Sequence, residues 1–175
     1  QKDTCLKVCV KCDCPAKTLD LEWGGQETPA YLLNLYREDL ALDGSETALF
    51  SASGSTSTNY NGLTISNYGK LDGVIAKTDP ASGTVLKALA IGGTEDDNAG
   101  AIAVSGTAVY VGGIFYSPVC RVPSGSSAPD VLLNNHNAGT ADFFLAKYNT
   151  NLELIWAFVI GNTGNDALTD VSIDP

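Results

Sequence analysis

Cysteines, acidic turns and a few aromatics are the residues of this chain whose types and spacing can do chemistry. Cys5, Cys9, Cys12 and Cys14 run as C-x3-C-x2-C-x-C, and Cys120 stands far from them. Four thiolates can hold zinc tetrahedrally, but zinc knuckles pair two C-x2-C-like turns across a loop, and only Cys9 and Cys12 have that spacing. Disulfides are therefore the expected fate of the cluster. A direct Cys12 to Cys14 bridge is strained, so each bonds elsewhere. Cys120 is expected to tether this segment, and the odd count leaves one thiol free, intermolecular or bonded outside the chain.

The acidic turn Glu95-Asp96-Asp97 has a counterpart at Asn165-Asp166, with Asp170 nearby. Such carboxylates can supply oxygen ligands to calcium, with Asp96, Asp97 and Asp166 as the candidates. No EF-hand loop D-x-D-x-D-G occurs, and a recurring Asp reads better as a turn whose side chain caps its own backbone amides. No cofactor is expected, with calcium as the alternative. Tyr60 and Tyr68, flanked by Asn and Gly in a long interval, are the candidate ligand contacts. Trp23 and Trp156 fall in apolar runs and read as core. His136 sits among Asn134, Asn135 and Asn137 with no adjacent nucleophile. G-x-S-x-G, G-x-G-x-x-G and the phosphate loop are all missing, so no enzyme is expected. Nothing selects the carboxylate pair that glycoside hydrolysis would need.

The scaffold that must position these groups has 175 residues, enough for one domain with a core. Ten Lys and Arg against 20 Asp and Glu give a net charge of −10, a surface that repels nucleic acid and anionic lipid. A single His excludes sites built from several imidazoles. No apolar run approaches the roughly 18 residues of a membrane span, and the longest, Ile155 to Ile160, is strand-sized. The Met-free chain carries no signal-peptide pattern at Gln1 and reads as processed or excerpted. Its cysteines suit an oxidising, extracellular, secreted or cell-surface setting. The tract Ser51 to Thr58 would suit O-linked sugar, although an ordinary flexible loop is the better reading of it.

Residues 1–18 hold four of the five Cys and form a separate extension. From Leu19 onward, short apolar runs alternate with Gly, Asn, Asp and Ser clusters, the pattern of many strands joined by turns. Tyr31 to Leu42 approaches a helical period, and two strands around a turn fit it equally. Self-similarity is the stronger signal. Asp72 to Lys77 (DGVIAK) recurs as Asp142 to Lys147 (DFFLAK), an offset of 70, and Gly92 matches Gly161 at 69. Gly24 lies 68 residues before Gly92. Thr107 to Tyr110 (TAVY) echoes Thr47 to Phe50 (TALF), and strands are also expected at Ala101 to Val104 and Asp170 to Asp174. Each unit holds four strands, a sheet that must stack on a like neighbour, as in a propeller blade. The intervals Gly54 to Asp72 and Phe115 to Ala141 are longer than hairpin turns and are expected to project from one rim.

The run Asp72 to Gly113 resembles the SBBP type of β-propeller repeat through Ala76-Lys77, Gly92-Gly93, Asp96, Ala101 to Val104 and Val109 to Gly113. A second unit from Asp142 is similar in part, with Asn162 in place of the second Gly, and the unit from Leu21 matches poorly. The resemblance implies an extracytoplasmic propeller, a piece of a larger surface or secreted protein, and no particular catalytic residue.

The expected fold is therefore all-β: antiparallel four-stranded blades of a partial or open propeller over 19–175, the last blade incomplete, after a disulfide-bearing extension. A β-sandwich fibre subunit completed by a neighbour's strand is the competing fold, which has no need of equal repeats. The expected function is a non-enzymatic structural or interaction protein of a cell-surface or filamentous assembly. Its partners would be protein subunits, copies of itself included, or glycan, with no nucleic acid and no membrane insertion. The alternative is a lectin or carbohydrate-active enzyme on the same scaffold.

Overall fold

The computed structural model describes residues 39–173 and, upstream, the backbone of two short paired strands, β1 (Lys7–Val8) and β2 (Leu19–Asp20). Cys5, Cys9, Cys12, Cys14, Trp23, Gly24 and residues 31–38 of the ambiguous stretch lie outside the described residues. The remainder of that stretch is strand β3 (Asp39–Leu42).

Beyond it the chain is all-β and antiparallel, with no helix among the described residues. β3, β4 (Leu49–Ser55), β7 (Asp72–Thr78) and β8 (Val85–Ile91) form one four-stranded sheet in chain order. β9 (Asp97–Ser105), β10 (Ala108–Phe115), β13 (Asp142–Asn149) and β14 (Leu154–Ile160) form a second, also in chain order. The repeat thus maps onto two equivalent meanders. Each long interval, expected as loop, folds into a hairpin between the second and third strands of its sheet. These are β5 (Asn59–Tyr60) with β6 (Leu63–Thr64), and β11 (Val119–Val122) with β12 (Val131–Asn134).

Side-chain chemistry shapes the turns. Between β3 and β4, Asp43 accepts hydrogen bonds from the hydroxyls of Ser45 and Thr47 and the amides of Thr47 and Ala48. The Ser45 bond leads these effects in holding its carboxyl down at about 2. Asp79 does the same for Ala81 and Ser82 after β7, and Asn149 for Asn151 and Glu153 after β13. Gly106 turns β9 into β10 at φ +55°, a backbone region that side-chain-bearing residues rarely adopt.

Strand alternation sorts each sheet into two faces. On β13, Phe144, Ala146 and Tyr148 are buried while Phe143, Leu145 and Lys147 are only half-buried. The core lies between the sheets: Phe50, Ala52, Ile75 and Ile91 of the first meet Val109, Val111, Phe115 and Phe144 of the second. Polar contacts cross the same junction. Asp39 Oδ2 accepts the Ile102 amide at 2.8 Å, and Lys87 Nζ donates to the carbonyls of Gly125 and Asn151 at 2.6 and 2.8 Å.

The expected strand near Asp170 is a difference. Residues 161–173 carry no ladder pairing; instead Leu168 and Val171 lie over Gly112 on β10. Extended chain is a strand only when a neighbour takes its amides and carbonyls in succession; here, among the described residues, the one backbone bond to another segment is that of the Asp166 amide to the Ala141 carbonyl. The described residues form two packed sheets and no closed ring of blades.

Candidate functional site

The corner between the sheets is built from acids that the repeat places at fixed phase. Asp97, at the start of β9, accepts four hydrogen bonds. Oδ1 takes the amides of Tyr116 and Ser117 at 2.9 and 3.1 Å, and Oδ2 takes the Gly93 amide and the Ser117 hydroxyl, both at 2.6 Å. Burial outweighs those donors and pushes its carboxyl up to about 6. Asp72, at the start of β7, accepts the Tyr68 amide on Oδ2 at 2.6 Å, while its buried Oδ1 has no partner. Burial raises this carboxyl too. Gly92 passes between them: a Cβ there would overlap Asp72 Oδ1 and stand 3.1 Å from Asp97 Oδ2.

The second repeat rebuilds this corner. Gly161 abuts Asp142, whose Oδ1 is again buried and unpartnered. Asp166 Oδ2 accepts the Asn162 amide at 2.8 Å, as Asp97 accepts that of Gly93. The amides of Asp97 and Asp166 donate to the carbonyls of Leu71 and Ala141, each at 2.7 Å. The calcium candidates are therefore not brought together: Asp97 and Asp166 occupy successive corners, each capping backbone. Among the described residues no three acids, thiols or imidazoles are grouped to hold a metal.

His136 is the addition in the second corner. Both its amide and its Nδ1 bond Asp142 Oδ2, at 2.8 and 2.6 Å, and its side chain is half exposed. Ser117, the hydroxyl bonded to an acid in the first corner, is fully buried, so that pair serves packing rather than a substrate. His136 is the single His of the chain, and nothing adjacent in sequence points to Asp142 as its partner. Asp72 and Asp142 do not stand out by residue type, and their one sequence signal is recurrence at the head of DGVIAK and DFFLAK.

The tether expected between Cys120 and the N-terminal cysteines involves partners outside the described residues. Cys120 itself sits on β11 as a free, fully buried thiol, and tethers nothing among the described residues. The strand turns its side chain into the core beside Val122 and Leu133. Burial, with the charges of Asp97 and Asp72 behind it, pushes the thiol well above its usual range.

The tyrosines divide. Tyr60 packs with Ile65, Val74 and Ala90, and its hydroxyl meets Ser53 Oγ at 3.3 Å, so the first hairpin spends it on its own small core. Tyr68 packs against the same small core but also lines a cleft of about 380 Å³ formed over the Gly92–Gly93 corner, against Arg121 and Leu132 of the second hairpin. The Arg121 guanidinium lies 5.4 Å from the Tyr68 ring centre.

The last surface of note is the outer face of the second sheet. The ladders put Gly112, Leu145 and Phe158 in one row and Ile114, Phe143 and Ile160 in the next. Ile91, the repeat equivalent of Ile160, is 0% exposed against 43%; Ile75, the equivalent of Leu145, is 0% exposed where Leu145 is half-buried; and Leu89, the equivalent of Phe158, is half-buried against 42%. Trp156, expected in the core, is half-buried here, edge-on to Tyr110 and stacked on Phe158.

No family model matches the chain, and no curated protein matches it.

Proposed function

We propose that this chain is a non-enzymatic, extracellular structural or interaction protein, built from propeller-type blades of the SBBP kind and acting within a cell-surface or filamentous assembly. One observation carries the reading. The face of the first sheet that the second sheet seals has its repeat equivalent on the second sheet, and that equivalent is apolar, covered at Gly112 by Leu168 and Val171 and exposed along β14 at Phe158 and Ile160. Contiguous exposed apolar faces mark contact sites. The segment after Gly161 supports the same arrangement, because it starts from the second corner as β9 starts from the first. The partner is a protein subunit that presents a sheet, copies of this chain included.

Light scattering on the purified chain tests this. The apparent mass is expected to grow with concentration, and Phe158→Lys with Ile160→Lys to give a monomer of unchanged circular dichroism. A parent chain that stays a folded monomer at high concentration overturns self-association through this face.

A further inference from the structure

We propose that the cleft over the Gly92–Gly93 corner binds a neutral saccharide. Its walls come from three separate parts of the fold: Tyr68 before β7, Thr94 between the sheets, and Pro118, Val119, Arg121 and Leu132 of the second hairpin region. These parts are fixed before any ligand arrives. Gly92 and Arg121 exchange backbone hydrogen bonds of 3.1 and 2.7 Å, and Tyr68 is held through its amide by Asp72. Preorganised walls of this kind lower the entropic cost of binding.

The wall chemistry selects the ligand. Val119 and Leu132, both lining the cleft, are 42% and 54% exposed, large apolar side chains left open to solvent. Among the described residues, neither the Tyr68 hydroxyl nor the Thr94 hydroxyl has a hydrogen-bond partner. A mainly apolar wall that includes a few polar residues is the composition of a small-ligand site, and about 380 Å³ lies toward the small end of such sites. A sugar ring matches both halves, its C–H faces meeting the aliphatic wall and its hydroxyls the tyrosine, threonine and guanidinium groups.

Charge argues for a neutral ring over an anion. Arg121 already holds Asp130 at 3.1 Å, and nearby Lys70 holds Glu95 at 2.6 Å. The chain as a whole carries −10. An anionic ligand would therefore approach without net attraction.

The test is a glycan array probed with the full chain, followed by titration of the best neutral saccharide while the amide resonances of Gly93, Thr94 and Val119 are followed by NMR. Sialylated and sulfated glycans and inorganic phosphate form the anionic arm. Localised shifts with the neutral sugar are expected. Tyr68→Phe and Thr94→Val, which each remove only an unpartnered hydroxyl, are expected to weaken binding by about three- to tenfold without unfolding the chain. Retention of no neutral glycan, shifts with anions alone, or neutral binding unmoved by both variants would each overturn the proposal. The site does not depend on the open face of the second sheet. A chain that associates but binds no sugar sinks this inference alone, and a monomer that binds sugar sinks the other.

Discussion

Asn in place of Asp97 removes a carboxyl that burial raises to about 6. Because the folded value lies above the ordinary 3.8, the folded state holds the proton more tightly than the unfolded chain does. Its contribution to stability is complete below 3.8 and is lost as the pH rises through about 6. The full gap corresponds to about 3 kcal/mol, and one-site linkage places about 1.4 kcal/mol of it between about pH 5 and about pH 7.5. Asp72, also raised by burial, acts in the same direction and remains in the variant. Asp43 and Asp79, lowered by their turn hydrogen bonds, act with the opposite sign, but below that window. Urea unfolding of the parent and Asp97→Asn chains at the two pH values isolates the effect. The variant is expected to be less stable at both, since its amide turns two donor hydrogens toward existing donors. The change in its stability between the two pH values should differ from the parent's by about 1.4 kcal/mol. An identical pH response in both chains refutes the account of Asp97 as a buried, proton-retaining acid.

Three further outcomes follow from the same geometry. Gly92→Ala and Gly161→Ala, which drive a Cβ into Asp72 and Asp142, should each lose about 2–3 kcal/mol in urea unfolding, whereas Gly44→Ala, with open space around it, should change stability by less than about 1 kcal/mol. Lys87→Met leaves the Gly125 and Asn151 carbonyls without their cross-sheet donor and should lower stability by about 1–2 kcal/mol by the same measurement. The Cys120 peptide should resist alkylation in the native protein at neutral pH and label once urea unfolds it; peptide mass spectrometry reads both, and rapid native labelling would contradict its burial.

Local order was legible in the residues themselves. Alternation in Asp142 to Asn149, turn aspartates and the offsets of 69 and 70 determined the strands, their count per unit and the equivalence of Gly92 with Gly161. Period and turn chemistry act over a few residues, so a linear reading captures them. The phase of Asp97 and Asp166 likewise marked them as amide caps, although not what shares the corner with them. That Asp97 gathers Gly93, Tyr116 and Ser117, that Cys120 turns inward, and that Tyr68 meets Arg121 while Tyr60 is spent on Ser53 were decided only by the packing of one sheet and its hairpin on the next. Burial, carboxyl affinity for protons and cleft shape depend on groups far apart along the chain. Ile91 and Ile160 hold the same position in their repeats, yet only a neighbouring sheet distinguishes a sealed side chain from an open one.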